Sequence, residues 1–280
     1  MEKNVLHYFV DTNSSRGFVS FWESNFGKLE KVVKLDGYPD LLVTQLVSQA
    51  CAQALGCEQE VELVHNCLDN SLQGIILPGQ KTGLLNLPAY GDESYSLRLA
   101  EDENLSKARE RVQRAYGCFG QALKIHDDWE IIFISSMDFE AMDELAEETA
   151  EKLFGGQKTD RAGSCADRFF GAATVNGSYD YIPNITQEIP KRYFLKGRPG
   201  TGKSTFLKML ARAAQDRGYR TEAYHCAFDP NSLDMIAVRE LGLCVFDSTA
   251  PHEYFPDRDS DEIIDIYKAA VQPGTDEKYE

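Results

Sequence analysis

Apolar positions along the chain alternate between short runs with strand spacing and longer stretches with helical spacing. Residues 30–36 and 60–65 read as strands and 82–90 as a third, each a brief apolar run bounded by polar or turn-forming residues. Residues 103–128 then carry a long amphipathic helical pattern, 129–136 read as a buried strand, and 137–155 as an acidic closing helix. Trp129 is expected to anchor the junction between that helix and that strand in the core. A Gly-, Ser- and charge-rich stretch, Gly155 to Arg168, reads as a linker. Beyond it come a strand near 192–196, a helix on which Phe206, Leu207, Leu210, Ala211 and Ala214 recur at helical spacing before Gly218, strands in 220–228 and 241–247, and a short apolar segment in 260–271. Strands alternating with helices predict an α/β fold with a mainly parallel sheet flanked by helices.

The second half repeats the first at an offset of 160 residues: Gly197 falls on Gly37, Pro199 on Pro39, Ser204 on Thr44, Leu207 on Val47, His225 on His65 and Asp229 on Asp69. After a one-residue slip, Ser232 and Leu233 fall on Ser71 and Leu72, and upstream the sequence around Arg16 resembles that around Arg168. This pattern predicts a tandem duplication with modules at 1–156 and 157–280, the second shortened because the helix, strand and closing helix of 103–155 have no counterparts in it.

Only the second module carries phosphate chemistry. Gly197, Gly202, Lys203 and Ser204 satisfy G-x-x-x-x-G-K-[ST], placed after a strand and at the start of a helix as a phosphate loop requires. The segment Gly197, Arg198, Pro199, Gly200, Thr201, Gly202, Lys203, Ser204 and Thr205 would turn backbone N–H groups onto phosphate oxygens at a helix N-terminus. Lys203 would reach the β and γ phosphates, Ser204 would bind Mg²⁺, and Thr205 would touch the α phosphate. Asp247, after the apolar run Leu243 to Phe246, is the candidate second Mg²⁺ ligand and, with Lys203, the candidate catalytic pair. The next residue is Ser248 and not an acid, so fast hydrolysis is not expected. In the first module Asp40, Leu41, Leu42 and Val43 stand where Gly200, Thr201, Gly202 and Lys203 stand in the second, and Asp247 falls near Pro88. That copy is expected to be degenerate, serving as scaffold or regulatory platform.

These residues support an ATP- and Mg²⁺-binding protein with slow or partner-triggered ATPase activity. Two alternatives stand beside it: a small-molecule kinase, with His225, Asp229 and Asp234 near an acceptor, and a non-hydrolysing nucleotide sensor that uses the acidic helix as a docking surface. For His225 and Asp229 a turn or cap role is favoured, since the degenerate copy keeps both. His225, Cys226 and His252 lack the spacing and number of a structural zinc site.

Composition narrows the partners. A formal charge of −16 opposes a phosphate backbone, so nucleic acid is disfavoured, leaving nucleotide and a protein partner or second copy. Seven cysteines without a C-x-x-C pair suggest reduced thiols, and neither a signal peptide nor a membrane-spanning run is visible, which predicts a cytoplasmic protein without a membrane association. The opening around Arg16-Gly17-Phe18, the His225-Cys226 to Asp234 segment, and Gly197, Gly202, Lys203, Ser204 and Asp247 together resemble a family of bacterial tandem P-loop ATPases over nearly the whole chain. The resemblance implies ATP and Mg²⁺ roles for those residues, while the stretch from Asp36 to Thr44 departs from the pattern and no substrate is implied.

Overall fold

The computed structural model describes residues 4–35, 38–86 and 103–279. A first series of elements comprises β1 (Val5–Phe9), β2 (Asp11–Ser14), β3 (Gly17–Ser20), α1 (Trp22–Phe26), β4 (Lys31–Lys34), α2 (Asp40–Gly56), β5 (Val61–His65), β6 (Leu72–Leu77) and β7 (Thr82–Leu85). Two helices follow, α3 (Glu103–Ile134) and α4 (Phe139–Phe154). The first series then recurs in the same order: β8 (Ser164–Phe169), β9 (Gly171–Thr174), β10 (Gly177–Asp180), α5 (Ile182–Thr186), β11 (Lys191–Lys196), α6 (Lys203–Asp216), β12 (Arg220–His225), β13 (Leu233–Val238) and β14 (Leu243–Asp247). After it come β15 (Glu262–Asp265), α7 (Ile266–Ala270) and α8 (Thr275–Lys278).

The recurrence extends to irregularities. The register shifts at Val64/His65 and again at Tyr224/His225, and a single 3₁₀ turn ending in a left-handed residue, Lys81 or Gly242, joins the last two strands of each series. Left-handed Gly17 and Gly177 start β3 and β10 alike, so the counterpart of Arg16 is Asn176 and that of Arg168 is Tyr8. The expected match of Arg16 with Arg168 is thereby corrected.

Two compact units are built from interleaved segments and do not follow a boundary at 156/157. Unit 1 comprises Met1–Gly120, Asp167–Gln187 and Ala227–Pro230; unit 2 comprises Gln121–Ala166, Glu188–Cys226 and Asn231–Glu280. The reason is apolar packing: Met142, Ala146, Ala150 and Phe154 of α4 join Phe206, Leu207, Leu210 and Ala214 of α6 in one core. Each of the Met, Phe and Leu side chains among them contributes about 1.5–3 kcal/mol when taken from water.

In unit 1 the strands run β1, β5, β6, β7, β4, with β1/β5 and β4/β7 parallel and β5/β6 and β6/β7 antiparallel. Val43, Val47, Cys51 and Ala54 of α2 cover Val61, Leu63 and Ile75 of this sheet. In unit 2 the strands run β12, β13, β14, β11, β15; the last three are mutually parallel, while β12/β13 and β13/β14 are antiparallel. The sheets are therefore mixed and flanked by helices. Connections as short as one 3₁₀ turn make hairpins, since a parallel crossover needs a dozen or more residues.

Residues 129–134 are helical, not a strand: α3 continues through them to Ile134. β-branched Ile131 and Ile132 suggested a strand, yet only Phe133 of this stretch is buried, and Trp129 is half exposed instead of anchoring a core. Among the described residues no helix is long and apolar enough to cross a membrane.

His65 takes the turn role its sequence context suggested. Buried in unit 1, its Nδ1–H donates to the Asn70 carbonyl oxygen at 3.0 Å, so that Nε2 accepts from Nδ1 of His7 at 2.9 Å. Burial drives its pKa down to about 4, with His7 adding to the effect and the Asn70 carbonyl opposing it. Below pH 6.5 the unfolded chain then binds a proton at His65 that the folded one refuses, so the His65 contribution lowers stability as pH drops towards 4, against Asp11 and Asp234, whose raised pKa values act in the opposite direction. The expected loss is about 3 kcal/mol between pH 7 and pH 4. Urea unfolding at the two values checks it: going from pH 7 to pH 4, wild type should lose stability relative to His65→Gln by about that amount.

Candidate functional site

The loop between β11 and α6 gathers the predicted residues of unit 2. β11 lies between two parallel neighbours, with Leu195 in register with Asp247 at the end of β14. Ligands of open α/β sheets bind outside such carboxyl ends. Two glycines shape the loop. Gly200 has φ +77°, and a Cβ there would lie 2.4 Å from the Glu130 carbonyl oxygen of α3; Gly202 caps α6 with φ +78°. Only glycine takes these conformations without cost.

Thr201, fully buried, closes the turn by donating from its backbone N and Oγ1 to the Arg198 carbonyl oxygen at 3.2 and 2.8 Å. Lys203 Nζ donates to the carbonyl oxygens of Gly197 and Arg198 at 3.1 and 3.0 Å and lies 3.6 Å from Asp247 Oδ2. Ser204 Oγ accepts from the backbone N of Leu233 at 2.9 Å. Pro199 is partly buried and Thr205 exposed. Arg198 points out of the loop, its guanidinium bound to Asp276 at 2.8 Å. Asp247 Oδ1 accepts from Thr249 Oγ1 at 2.7 Å.

Of the three acceptor-site candidates, the structure brings only Asp234 to this cluster. Burial, with the Asp247 charge adding to it, raises its pKa to about 6 against the lowering effects of a Cys226 hydrogen bond, His252 and Lys203. Part of the residue still reaches solvent, and the density of protein around its carboxyl is what resists ionisation. Asp229 belongs to unit 1, where it pairs with Arg16 at 2.6 Å, and His225 ends β12. The one close group of three His, Cys, Asp or Glu ligands among the described residues is His126, Asp127 and Glu130 on α3, not His225, Cys226 and His252.

Unit 1 shows what replaces this chemistry. Val43, fully buried, occupies the place of Lys203, and Thr44 Oγ1 donates to the Leu72 carbonyl oxygen at 3.3 Å where Ser204 accepts. Leu41 is exposed and Asp40 begins α2. Gly37 and Pro88 lie outside the described residues. Hairpin register identifies a different counterpart for Asp247: Gly74 pairs with Leu85 as Met235 pairs with Phe246, so Asn86 matches Asp247 and Gln73 matches Asp234. Where unit 2 has two carboxylates, unit 1 has two amides. The one-residue slip at Ser232, carried forward, leads from Asp247 to Asn86, a signal present in the sequence.

Compared with family models, with curated proteins and with solved structures, the chain shows no match.

Proposed function

We propose that unit 2 is a P-loop nucleotide-binding module that takes Mg-ATP, and that unit 1 descends from a duplicated copy of it. The observation that carries this reading is Lys203: an ammonium at the mouth of a glycine turn, at the N-terminus of a 14-residue helix, 3.6 Å from a carboxylate on the adjacent strand. Backbone donors and a helix terminus favour phosphate, and Lys203 would exchange the Gly197 and Arg198 carbonyls for β- and γ-phosphate oxygens. Ser204 and Asp247 would hold Mg²⁺, which supplies charge neutralisation across the phosphates.

Turnover is slow or partner-triggered, because buried Ser248 stands where an acid would orient water. Asp234 favours a second reading, phosphoryl transfer to a small acceptor, since a carboxyl with pKa about 6 beside the reacting group suits proton acceptance near neutral pH.

Calorimetric titration of ATP with Mg²⁺ and with EDTA, followed by phosphate release, tests the proposal. Wild type should bind about tenfold or more tightly with Mg²⁺, and Asp247→Asn should lose most of that difference. Equal affinity with and without Mg²⁺ in wild type would sink the assignment.

A further inference from the structure

Scaffolding alone does not account for the polar residues of unit 1. Asp11 follows β1 with no exposed surface, Gln73 is 3% exposed and Asn86 6%. A scaffold that has merely lost phosphate chemistry would fill such positions with apolar side chains, because burying a carboxylate without full pairing is costly. Asp11 is no remnant shared by both series, since its counterpart is Gly171.

These side chains form two hydrogen-bonded pairs, joined through the backbone of adjacent strands. Gln73 Nε2 donates to Asp11 Oδ2 at 2.8 Å, and Asn86 Nδ2 donates to Asp40 Oδ1 at 3.2 Å. The backbone N of Asn86 donates to the Gln73 carbonyl oxygen at 2.9 Å, continuing the β6/β7 register, so Gln73 and Asn86 stand opposite each other on one face. Each amide nitrogen is committed to a carboxylate, and turning either amide over would set oxygen against oxygen. The orientation of both amides is thereby fixed.

The Asp11 carboxyl also takes hydrogen bonds from the backbone and side chain of Cys67, yet three buried oxygens are left with no hydrogen-bond partner: Asp11 Oδ1, Gln73 Oε1 and Asn86 Oδ1. Native proteins rarely leave buried polar atoms unsatisfied. All three are acceptors, so each calls for a donated proton or a cation. A carboxylate with two amide carbonyls is an oxygen donor set for a hard cation, and nearby Asp40 and Asp69 add negative charge to the surround.

We propose that unit 1 binds a divalent cation of the calcium type through Asp11, Gln73 and Asn86, in the region where unit 2 holds Asp234 and Asp247. Amide carbonyls are common Ca²⁺ ligands, whereas Mg²⁺ prefers to keep its waters and softer metals prefer nitrogen and sulfur. The duplicated halves thus divide their chemistry: one presents donors to an anion, the other acceptors to a cation.

The test is a calorimetric CaCl₂ titration of the full chain without nucleotide, with thermal melts at each concentration. MgCl₂ and KCl serve as comparison salts. Wild type should bind Ca²⁺ with a concentration-dependent rise in melting temperature. Asn86→Leu, and separately the near-isosteric Asp11→Asn, should each weaken binding at least tenfold, while Asp247→Asn retains it. Absence of Ca²⁺ heat and of any melting shift in wild type overturns the proposal. Loss of binding in Asp247→Asn with retention in Asp11→Asn also overturns it, by assigning the ion to unit 2. An equal response to KCl overturns the divalent assignment.

Discussion

Lys203→Ala should lower Mg-ATP affinity about 100-fold, close to 3 kcal/mol, while leaving the fold intact. The side chain is partly buried and its ammonium is already gathered at the loop, bonded to the carbonyl oxygens of Gly197 and Arg198 and facing Asp247. Binding ATP therefore needs a change of partners for the ammonium and not a new ordering of the chain. On the proposed function, alanine removes the ammonium that would meet the γ-phosphate and leaves Asp234 and Asp247 to repel it. Arg198 does not substitute, because Asp276 holds its guanidinium. Circular dichroism should be unchanged, since α6 keeps Phe206, Leu207, Leu210 and Ala214 in the core. Calorimetry on both proteins measures the effect; affinity equal to wild type would remove the phosphate loop from any account of this chain.

The strand, glycine turn and helix that carry the proposed loop were legible in the sequence because their determinants are local and sit within a few residues of one another. The helical spacing of α6 was equally legible, as its five apolar positions are the ones buried. What failed was non-local. Residues 129–134 have strand-like composition, yet α3 carries its helix through them, so propensity gave way to continuity with the preceding turns. The antiparallel hairpins depend on connection length and not on apolar pattern, and the interleaved units depend on which segment α4 packs against. The counterparts of Asp234 and Asp247 needed hairpin register, because a one-residue slip between copies moves every later match.

Arg168→Met should destabilise unit 1 by about 3–5 kcal/mol, the range for removing one partner of a buried ion pair. Arg168 is 1% exposed; its Nη2 donates to Glu62 Oε2 at 2.8 Å, its Nε donates to Asn25 Oδ1 at 2.9 Å, and its guanidinium lies 4.0 Å from the Tyr8 ring centroid. Tyr8 OH donates to the same Glu62 oxygen at 2.6 Å, so one carboxylate is held by a cation and a phenol together. Methionine fills much of the volume and keeps an apolar stem over Tyr8, but leaves Glu62 charged with the phenol as its remaining described partner. The cost should therefore lie in the stranded charge, and Glu62→Gln in the same chain should recover most of it. Urea unfolding of wild type, both single variants and the double variant measures the coupling as a thermodynamic cycle. Recovery to within about 1 kcal/mol of wild type identifies charge as the origin. A double variant as unstable as Arg168→Met would instead locate the loss in packing around Tyr8 and Asn25, and would make this arginine a space-filling residue whose charge is incidental.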